Sequence, residues 1–394
     1  MSLKRQLLVS FGLQGAGAAA VLLATLLLGA RLGPEVQGGF SRVKAEVEFV
    51  AAFAMFGLPQ ALFFYVKAGA MSGRSALHWA LGCALVALPI AALYAAWHHE
   101  TGWALLLMGA AVAAAVAHGQ LRALLLVRER IAWFNVLTAL PQVLVLVGVL
   151  HVLVRGTVDA MQWLALFAVA YAVAASISWW RLRTAPDAPA ATGVGWRALG
   201  HYGLAAWLIA ALATAAILLV QRWVEAAQGR AALGQFTMAM TLVQVPLTPI
   251  SYAAPLLLRR WMEQPGAAAS RRVALLVFGV LLVVAALAWI ASSAWPDLGL
   301  GAAYAGTTSA LAVLLAGGAA EAASRVLTVQ ASASGRPWIG VRAEAARWVV
   351  LAIGWSMLDR PALLPVCAAW AVAAWAAALV FVVSSRGDVA ERAA

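Results

Sequence analysis

The protein has 394 residues, of which 64% are apolar and 11% are charged. A soluble globular chain averages about half apolar and about a quarter charged residues, so this composition excludes a water-exposed surface around most of the chain. The apolar runs are continuous, as in 21–30, 104–117 and 273–291. Strands of a membrane β-barrel alternate apolar and polar residues, so these runs favour membrane-spanning helices.

About twelve apolar stretches reach the length of roughly 20 residues that a bilayer requires. We therefore predict an all-α integral membrane protein with about twelve transmembrane helices. The first stretch follows Lys4 and Arg5 in the manner of a secretory signal, but its apolar run is longer than a signal core, so we predict that it is an uncleaved helix. The predicted helices lie near 7–30, 43–66, 76–97, 103–127, 132–154, 160–180, 199–221, 231–258, 272–293, 303–330, 338–358 and 362–384.

The basic residues are distributed unevenly between the two ends of these helices. With a cytoplasmic N-terminus and twelve crossings, 18 of the 27 Lys and Arg residues fall on the cytoplasmic side and seven on the other, while Arg325 and Arg347 fall inside spans. Short loops rich in Lys and Arg stay in the cytoplasm. We therefore predict a multi-pass protein with both termini in the cytoplasm. The same bias accounts for the net charge of +12 without a nucleic-acid partner.

An internal repeat divides the chain near its middle. At an offset of 196 residues, Gly38 aligns with Gly234, Phe40 with Phe236, and Pro59 with Pro255. We predict an N-terminal six-helix lobe over 1–185, a cytoplasmic linker over 186–198 and a C-terminal six-helix lobe over 199–394. Because each half has an even number of helices, the two lobes would have the same topology in the membrane. They would form a parallel repeat, related by a pseudo-twofold axis along the membrane normal, around a central cavity, as in some transporters.

Three short segments resemble one family of membrane proteins. Segment 32–40 (LGPEVQGGF) resembles the turn after the first helix of bacterial polysaccharide flippases, and segment 57–61 (GLPQA) resembles the end of their second helix. Segment 233–236 (LGQF) resembles the start of their eighth helix, which is usually rich in proline, as it is here at Pro246, Pro249 and Pro255. In segment 32–40, Gly33-Pro34 is expected to break the helix, and Gly38-Gly39 to give the backbone freedom before the second helix begins.

These flippases are the Wzx-type members of the multidrug/oligosaccharidyl-lipid/polysaccharide superfamily. The resemblance implies a transporter that flips an undecaprenyl-diphosphate-linked oligosaccharide, a polysaccharide or O-antigen repeat unit, from the cytoplasmic to the periplasmic leaflet. It also implies membrane lipids and glycan polymerases or glycosyltransferases as partners, with no cofactor and no bound metal. One departure is Gln221-Arg222, where the family often carries an Asp-Arg or Asp-Lys pair, so a role for that acid is in doubt.

Arg347 and Arg325 are predicted substrate-binding residues, because charge within a span is costly and therefore often functional. A helix from Pro337 to Leu358 places Arg347 near the bilayer centre. With Arg325, it would grip the anionic head group of the lipid carrier or an acidic sugar. The alternative is purely structural: Arg347 pairs with Glu344 or Glu321, and Arg325 pairs with Glu321 four residues before it.

Three further substrate-binding residues are predicted in the first half: His118, Arg122 and Glu48. His118 and Arg122 lie toward the cytoplasmic end of the fourth helix, where they would line the inward mouth of a cavity. Glu48 follows Arg42, Lys44 and Glu46 at the start of the second helix. The alternative for Glu48 is an interfacial ion pair, since Arg42 and Glu46, like Lys44 and Glu48, are four residues apart.

Two other functions remain open. A cation-coupled multidrug exporter of the same superfamily would use buried carboxylates for cationic drugs. A membrane-embedded glycan polymerase, ligase or glycosyltransferase is less favoured, because the chain has no D-x-D motif and no large outer loop. His98-His99-Glu100 lacks further metal ligands, and the two cysteines show no metal-site spacing. We therefore predict that the protein is not an enzyme.

Overall fold

A computed structural model describes residues 3–128, 130–156, 159–183, 195–263, 267–359 and 361–393. Over these ranges the regular structure is entirely helical, which confirms the predicted all-α fold. A short 3₁₀ turn, Ala302–Tyr304, precedes α10. The α-helices are α1 (Leu3–Ala54), α2 (Leu58–Lys67), α3 (Gly73–Trp97), α4 (Trp103–Val127), α5 (Ile131–Arg155), α6 (Ala160–Arg183), α7 (Trp196–Gln228), α8 (Arg230–Glu263), α9 (Ala267–Ala291), α10 (Thr307–Ala333), α11 (Trp338–Met357) and α12 (Leu363–Ala393).

Nine helical stretches within the described ranges are long and apolar enough to cross a bilayer. One of them, Val9–Ala54, has 46 residues. At about 1.5 Å per residue it is roughly 70 Å long, about twice the thickness of a hydrocarbon core. It therefore contains nearly all of the first predicted span, 7–30, and the first half of the second, 43–66. The short α2 and the more polar α8 and α11 are not among the nine, which explains the difference from the predicted twelve.

The first two predicted spans are joined by a kink and not by a loop. Gly33 has φ 83° and ψ 174°, a backbone conformation that glycine adopts without strain. Pro34 follows at the start of the second limb, where its missing N–H is not needed. The break at Gly33-Pro34 was predicted correctly. The flexible stretch expected at Gly38-Gly39 was wrong, because the helix resumes at once and both glycines are helical.

Gly38 and Gly234 are required by close helix packing. A Cβ atom at Gly38 would lie 2.3 Å from the carbonyl oxygen of Arg230. A Cβ atom at Gly234 would lie 1.9 Å from the carbonyl oxygen of Pro34. The two glycines that the repeat aligns therefore sit at one crossing, where the second limb of α1 passes the start of α8 with backbone against backbone.

The second predicted span, 43–66, is interrupted near its middle. Phe56 and Gly57 have positive φ values of 49° and 65°, and α2 starts immediately afterwards with Pro59 in its first turn. A Cβ atom at Gly57 would lie 1.9 Å from the carbonyl oxygen of Gly203 in α7. Glycine is therefore required at position 57 both by its backbone conformation and by this contact. The interruption separates α1 from α2.

The described chain forms two compact units. The first contains Met1–Ala24 and Phe40–Ala215, and the second contains Thr25–Gly39 and Ala216–Ala394. In the first unit α4 packs mainly against α3, α6 and α2, and in the second α10 packs mainly against α9, α12 and α8. The same packing pattern thus recurs six helices later, as a repeat would require. The predicted lobe boundaries stay a prediction, and most of the predicted linker, 186–198, falls outside the described residues.

Small residues allow the helices of the first unit to approach closely. The buried face of α3 consists of Cys83 and five alanines spaced three or four residues apart, Ala76, Ala80, Ala87, Ala91 and Ala95. This stripe packs against α4, whose own buried face includes Gly109, Ala111 and Ala115. Small residues are favoured between membrane helices because they bring backbones together and increase van der Waals contact. The packing holds α4 in the position that the candidate site requires.

Candidate functional site

The first unit contains a cavity of about 240 Å³. Its lining comes from α1, α2, α4, α5, α6 and α7. Three residues predicted from the sequence, Glu48, His118 and Arg122, lie in this lining, together with Gln142 and Tyr171. The structure therefore brings together the three candidates of the first half. Their role in substrate binding stays a prediction, supported by this shared location.

α4 presents His118 and Arg122 to the cavity because residues four apart lie on one face of a helix. His118 is buried, and its ring centroid lies 5.8 Å from that of Tyr171 on α6. Nδ1 of His118 and Oε1 of Gln142 are buried with no hydrogen-bond partner among the described residues. Buried polar atoms are normally paired, so these two are candidates for contacts with a bound molecule.

Glu48 reaches the cavity from α1 and is only partly neutralised. Nζ of Lys44 lies 2.6 Å from Oε1 of Glu48, and the Glu48 side chain keeps 44% of its surface exposed. Arg42 and Glu46 form the second predicted pair at 3.1 Å. Both ion pairs that the i, i+4 spacing predicts are therefore present. An exposed ion pair is weak, so Glu48 remains accessible to a competing cation.

The interruption between α1 and α2 forms one wall of the cavity, with Met55, Gly57, Pro59 and Gln60 in its lining. A broken helix leaves carbonyl groups without their usual partners, and in a membrane each must be satisfied internally. Side chains of three other helices add to the backbone hydrogen bonds at the break: Trp207 Nε1 donates to the Phe53 carbonyl at 2.7 Å, Cys83 Sγ to Ala54 at 3.1 Å and Gln120 Nε2 to Met55 at 3.3 Å. Hydrogen bonds from α3, α4 and α7 therefore fix the position of this wall.

Sequence reasoning did not predict Gln142, Tyr171 or the helix break as parts of this site. Gln142 and Tyr171 are single polar residues within apolar helices, and such residues carry no periodic signal. The break had a local signal in the segment Gly57-Leu58-Pro59, since glycine and proline together disfavour a continuous helix. That segment had been interpreted only as the end of a span.

The other two predicted residues, Arg325 and Arg347, lie in an ion cluster of the second unit that we define as Glu321, Arg325, Glu344 and Arg347. Arg347 is 2% exposed and donates a hydrogen bond from Nη2 to Oε2 of Glu321. Its Nε lies 3.4 Å from Oε2 of Glu344. Arg347 therefore contacts both acids that the sequence offered as alternative partners, and the ring of Trp370 lies 5.3 Å from its guanidinium carbon.

Arg325 joins the ion cluster to α8. Its Nε lies 3.1 Å from Oε1 of Glu321, and its Nη1 donates to Oγ of Ser251 at 2.8 Å. Two carboxylates thus balance two guanidinium groups within the second unit. The predicted substrate-binding role of Arg325 and Arg347 stays a prediction, but the geometry supports an internal role for both charges.

Solved structures with the same arrangement of helices are transporters. The chain superposes with a TM-score of 0.70 and 15% identity on an inward-facing multidrug resistance MATE family transporter of the MOP superfamily, covering 98% of both chains. An outward-facing transporter of the same kind gives 0.69 and 15%, covering 99% of this chain and 97% of that one. A MOP superfamily transporter from Pyrococcus furiosus, whose reversed pocket polarity suggested a different function, gives 0.67 and 14%, covering 98% and 94%.

The chain has the fold of a MATE-type transporter. This confirms the predicted all-α membrane fold. No protein-family model and no curated protein matches the sequence. The likeness to solved structures concerns the fold alone, so the polysaccharide specificity that the resemblance to Wzx-type flippases implies stays a prediction.

Proposed function

We propose that the protein is a membrane transporter that exports amphipathic organic amines and takes their cationic head group into the cavity of the first unit. The observation that carries the proposal is the chemistry of the lining. Glu48 supplies a partly neutralised carboxylate, and Gln142 Oε1 and a ring nitrogen of His118 are buried without partners. Carboxylate and carbonyl oxygens accept hydrogen bonds, so they match a ligand that donates N–H groups and carries positive charge.

The size of the cavity supports a compact head group. Its volume of about 240 Å³ lies just below the range of roughly 300–1,000 Å³ typical of small-molecule pockets. An aromatic ring or a substituted ammonium fits such a space, whereas an oligosaccharide does not. The tilted pair of His118 and Tyr171 supplies aromatic surface for a cation or ring. The apolar part of an amphipathic substrate would remain in contact with lipid or apolar helix surfaces.

The likeness to multidrug resistance transporters supports the same proposal by analogy of fold. It does not carry the proposal, because one fold can host different substrates. A location in a bacterial inner membrane, with both termini in the cytoplasm, is part of the proposal and is supported by the distribution of 18 basic residues against seven.

A second candidate is the flippase for undecaprenyl-diphosphate-linked oligosaccharide. Two observations favour it: the resemblance of segment 32–40 to polysaccharide flippases, and the presence of Arg122 in the cavity lining. In that case Arg122 would contact the diphosphate, and glycan polymerases or glycosyltransferases would be partners. The candidate is weaker because the charges of Arg325 and Arg347, its best predicted anion ligands, are balanced by Glu321 and Glu344.

The test is transport by the full chain in proteoliposomes. Ethidium, a fluorescent organic cation, is expected to be transported by the wild type. Glu48→Gln should lower its apparent affinity roughly tenfold or more, since a charge-assisted hydrogen bond contributes about 1.5–3 kcal/mol. Glu46→Gln is the matched control: Glu46 lies on the same helix in a similar ion pair with Arg42 and is not in the cavity lining. It should leave ethidium transport unchanged.

The outcomes separate the two candidates. If ethidium is not transported but an undecaprenyl-diphosphate-linked oligosaccharide becomes accessible on the opposite leaflet, the flippase replaces the exporter. If Glu48→Gln transports ethidium as well as the wild type, the proposed head-group contact is wrong. Failure of both substrates in a correctly folded preparation rejects both candidates.

A further inference from the structure

Arginine and tryptophan are concentrated where α5 begins and α6 ends, in the first unit. Segments 128–133 (RERIAW) and 179–183 (WWRLR) together contain four arginines and three tryptophans. Their single acid is Glu129, which lies outside the described residues, so the two segments carry a net charge of +3. We define the arginines and tryptophans of these two segments as the arginine–tryptophan cluster.

Hydrogen bonds hold the two segments together. Nη1 of Arg130 donates to the carbonyl oxygen of Arg181 at 2.8 Å, and Nη1 of Arg128 donates to that of Leu182 at 3.1 Å. The last carbonyl groups of a helix lack partners within it, and basic side chains both satisfy them and interact favourably with the helix dipole. The arginines of the α4–α5 turn are therefore fixed at the end of α6, beside the arginines of α6 itself.

Three indole rings contact the arginines of α6. The guanidinium carbon of Arg181 lies 3.8 Å from the ring centre of Trp133 and 4.5 Å from that of Trp180. The guanidinium carbon of Arg183 lies 4.8 Å from the ring centre of Trp179. These are the distances of cation–π contacts. Because the rings restrict the motion of both guanidinium groups, less conformational entropy is lost when an anion binds to them.

The arginine–tryptophan cluster borders apolar surface that faces lipid. α5 and α6 are both long and apolar enough to cross a bilayer, and the exposed side chains on the adjoining turns include Val136 of α5 and Val169 and Val173 of α6. Trp179 and Trp180 are 38% and 47% exposed. Tryptophan is enriched where membrane helices reach the level of the lipid head groups. The cluster therefore combines excess positive charge with neighbouring acyl-chain surface.

We propose that the arginine–tryptophan cluster binds the phosphodiester head group of an anionic glycerophospholipid, whose acyl chains lie along the exposed apolar faces of α5 and α6. Guanidinium groups bind phosphate oxygens by charge-assisted hydrogen bonds, and basic sites between membrane helices recognise anionic head groups. A soluble anion or an acidic protein would match the charge but not the apolar surface beside it, so a lipid fits best. The proposal does not depend on which substrate the transporter exports.

The test is lipid binding by the full chain in detergent, measured by native mass spectrometry, which resolves individual bound lipids. The probes are phosphatidylglycerol and phosphatidylcholine with identical acyl chains. The wild type should bind its first phosphatidylglycerol roughly tenfold or more tightly than its first phosphatidylcholine. Arg183→Gln should lower this preference about fivefold, the contribution of one basic residue near an anionic membrane surface.

Two further variants make the result specific. Arg155→Gln is the matched control, because Arg155 is an exposed arginine at the opposite end of α5 and lies outside the cluster. It should keep the wild-type preference. Arg183 is itself exposed, so its replacement should leave the unfolding temperature unchanged. Arg183→Lys keeps the positive charge and should keep most of the preference for phosphatidylglycerol. Equal preferences in Arg183→Gln and the wild type would overturn the proposed site.

A competition experiment separates a lipid from a free anion. Inorganic phosphate in large excess should not displace phosphatidylglycerol from the wild type, because it has no acyl chains to contact α5 and α6. Displacement by inorganic phosphate would make the cluster a general anion site and overturn the lipid assignment. Equal binding of phosphatidylglycerol and phosphatidylcholine by the wild type would overturn it as well, since the cluster would then contribute no recognition of charge.

Discussion

The fourth and tenth helices occupy equivalent places in the two units, and each carries two polar residues spaced four apart. On α10 the pair is Glu321 and Arg325, which contact each other at 3.1 Å and take part in the ion cluster. On α4 the pair is His118 and Arg122, which line a cavity of about 240 Å³. An acidic and a basic residue at this spacing attract each other and form an ion pair, whereas two basic residues do not. The residue at the first position of each pair, Glu321 on α10 and His118 on α4, thus makes the difference between an internally paired ion cluster and a pair of residues that line a cavity.

The two regions also differ in how they are held. The cavity wall depends on uncharged hydrogen bonds to the carbonyl groups of a broken helix, each of which contributes roughly 0.5–1.5 kcal/mol. The ion cluster depends on buried charges, and removing one partner of a buried pair costs about 3–5 kcal/mol because the other charge is left uncompensated. Substitutions of the charged residues in the ion cluster should therefore affect folding first, and substitutions of polar side chains in the cavity lining should affect transport first.

The largest expected effect is that of Arg347→Ala. It removes a buried guanidinium that faces two carboxylates, so the free energy of unfolding should fall by about 3–5 kcal/mol. Arg347→Lys keeps the charge but loses the two-sided contact, and should fall between wild type and Ala. Thermal unfolding in detergent and abundance in the membrane measure both. Arg342→Ala, an exposed arginine on the same helix, should change stability by less than about 0.5 kcal/mol.

A stable, abundant Arg347→Ala protein would contradict the structural role of the ion cluster. Transport by that same protein would then decide the sequence-based hypothesis. Full transport at wild-type abundance would refute a substrate-binding role for Arg347, and loss of transport with normal folding would support one.

Gly57→Ala should have the second largest effect, now in the first unit. The new Cβ would lie 1.9 Å from the Gly203 carbonyl oxygen at a residue whose φ is 65°. A left-handed backbone costs a residue other than glycine about 1–2 kcal/mol, and the steric contact adds to it, so we expect a loss of about 2 kcal/mol or more. Gly82→Ala is the control: it lies within α3 with nothing within 4 Å and should stabilise the helix by roughly 0.5–1 kcal/mol. Equal unfolding temperatures for the two variants would contradict the required break.

Much of the fold was predictable because apolar length and charge placement are encoded locally. Continuous apolar runs predict helices in a bilayer, and Gly33-Pro34 predicts an end to the first limb. The interruption at Gly57 was not predicted, because the stretch 49–66 is almost wholly apolar and its hydropathy alone indicates one continuous span, although Gly57 and Pro59 carry a local signal for a break. Part of the requirement for glycine there is the contact with Gly203 of α7, which is distant in the sequence and leaves no local signal.

The candidate site was predictable only in part. The i, i+4 spacing brings His118 beside Arg122 and Glu321 beside Arg325, since both residues of each pair lie on one helix. Whether Glu48 joins the first pair, or Arg347 the second, depends on which helices pack together, and spacing along the chain carries no such information. The spacing also left open whether a charge would face a cavity or an opposite charge.

Trp207→Phe is expected to have a smaller effect on the cavity wall. It removes the indole N–H that donates to the Phe53 carbonyl at 2.7 Å and keeps most of the aromatic surface. The free energy of unfolding should fall by about 1 kcal/mol, and ethidium transport should fall with it if the wall positions the site. Trp97→Phe, at an exposed tryptophan, is the matched control and should change neither quantity. A change confined to stability would limit the role of this hydrogen bond to folding.

Lys44→Gln is expected to have the smallest effect on stability. It also tests most directly whether Glu48 in the cavity lining attracts a cationic head group. The Lys44–Glu48 pair is exposed, so its loss should cost no more than about 0.5 kcal/mol. The Glu48 carboxylate would then lack its nearest cation and attract a cationic head group more strongly. A gain of similar size in the free energy of binding corresponds to a roughly twofold lower KM for ethidium, and added salt should reduce the difference because exposed charges are screened.

Arg42→Gln is the control. It breaks the neighbouring Arg42–Glu46 pair, whose acid is not in the cavity lining, and should leave KM unchanged. If both variants shift KM equally, the effect is a general change in surface charge and Glu48 has no special place in the site. If Lys44→Gln raises KM instead, the cavity favours anionic ligands, and the flippase candidate gains over the amine exporter.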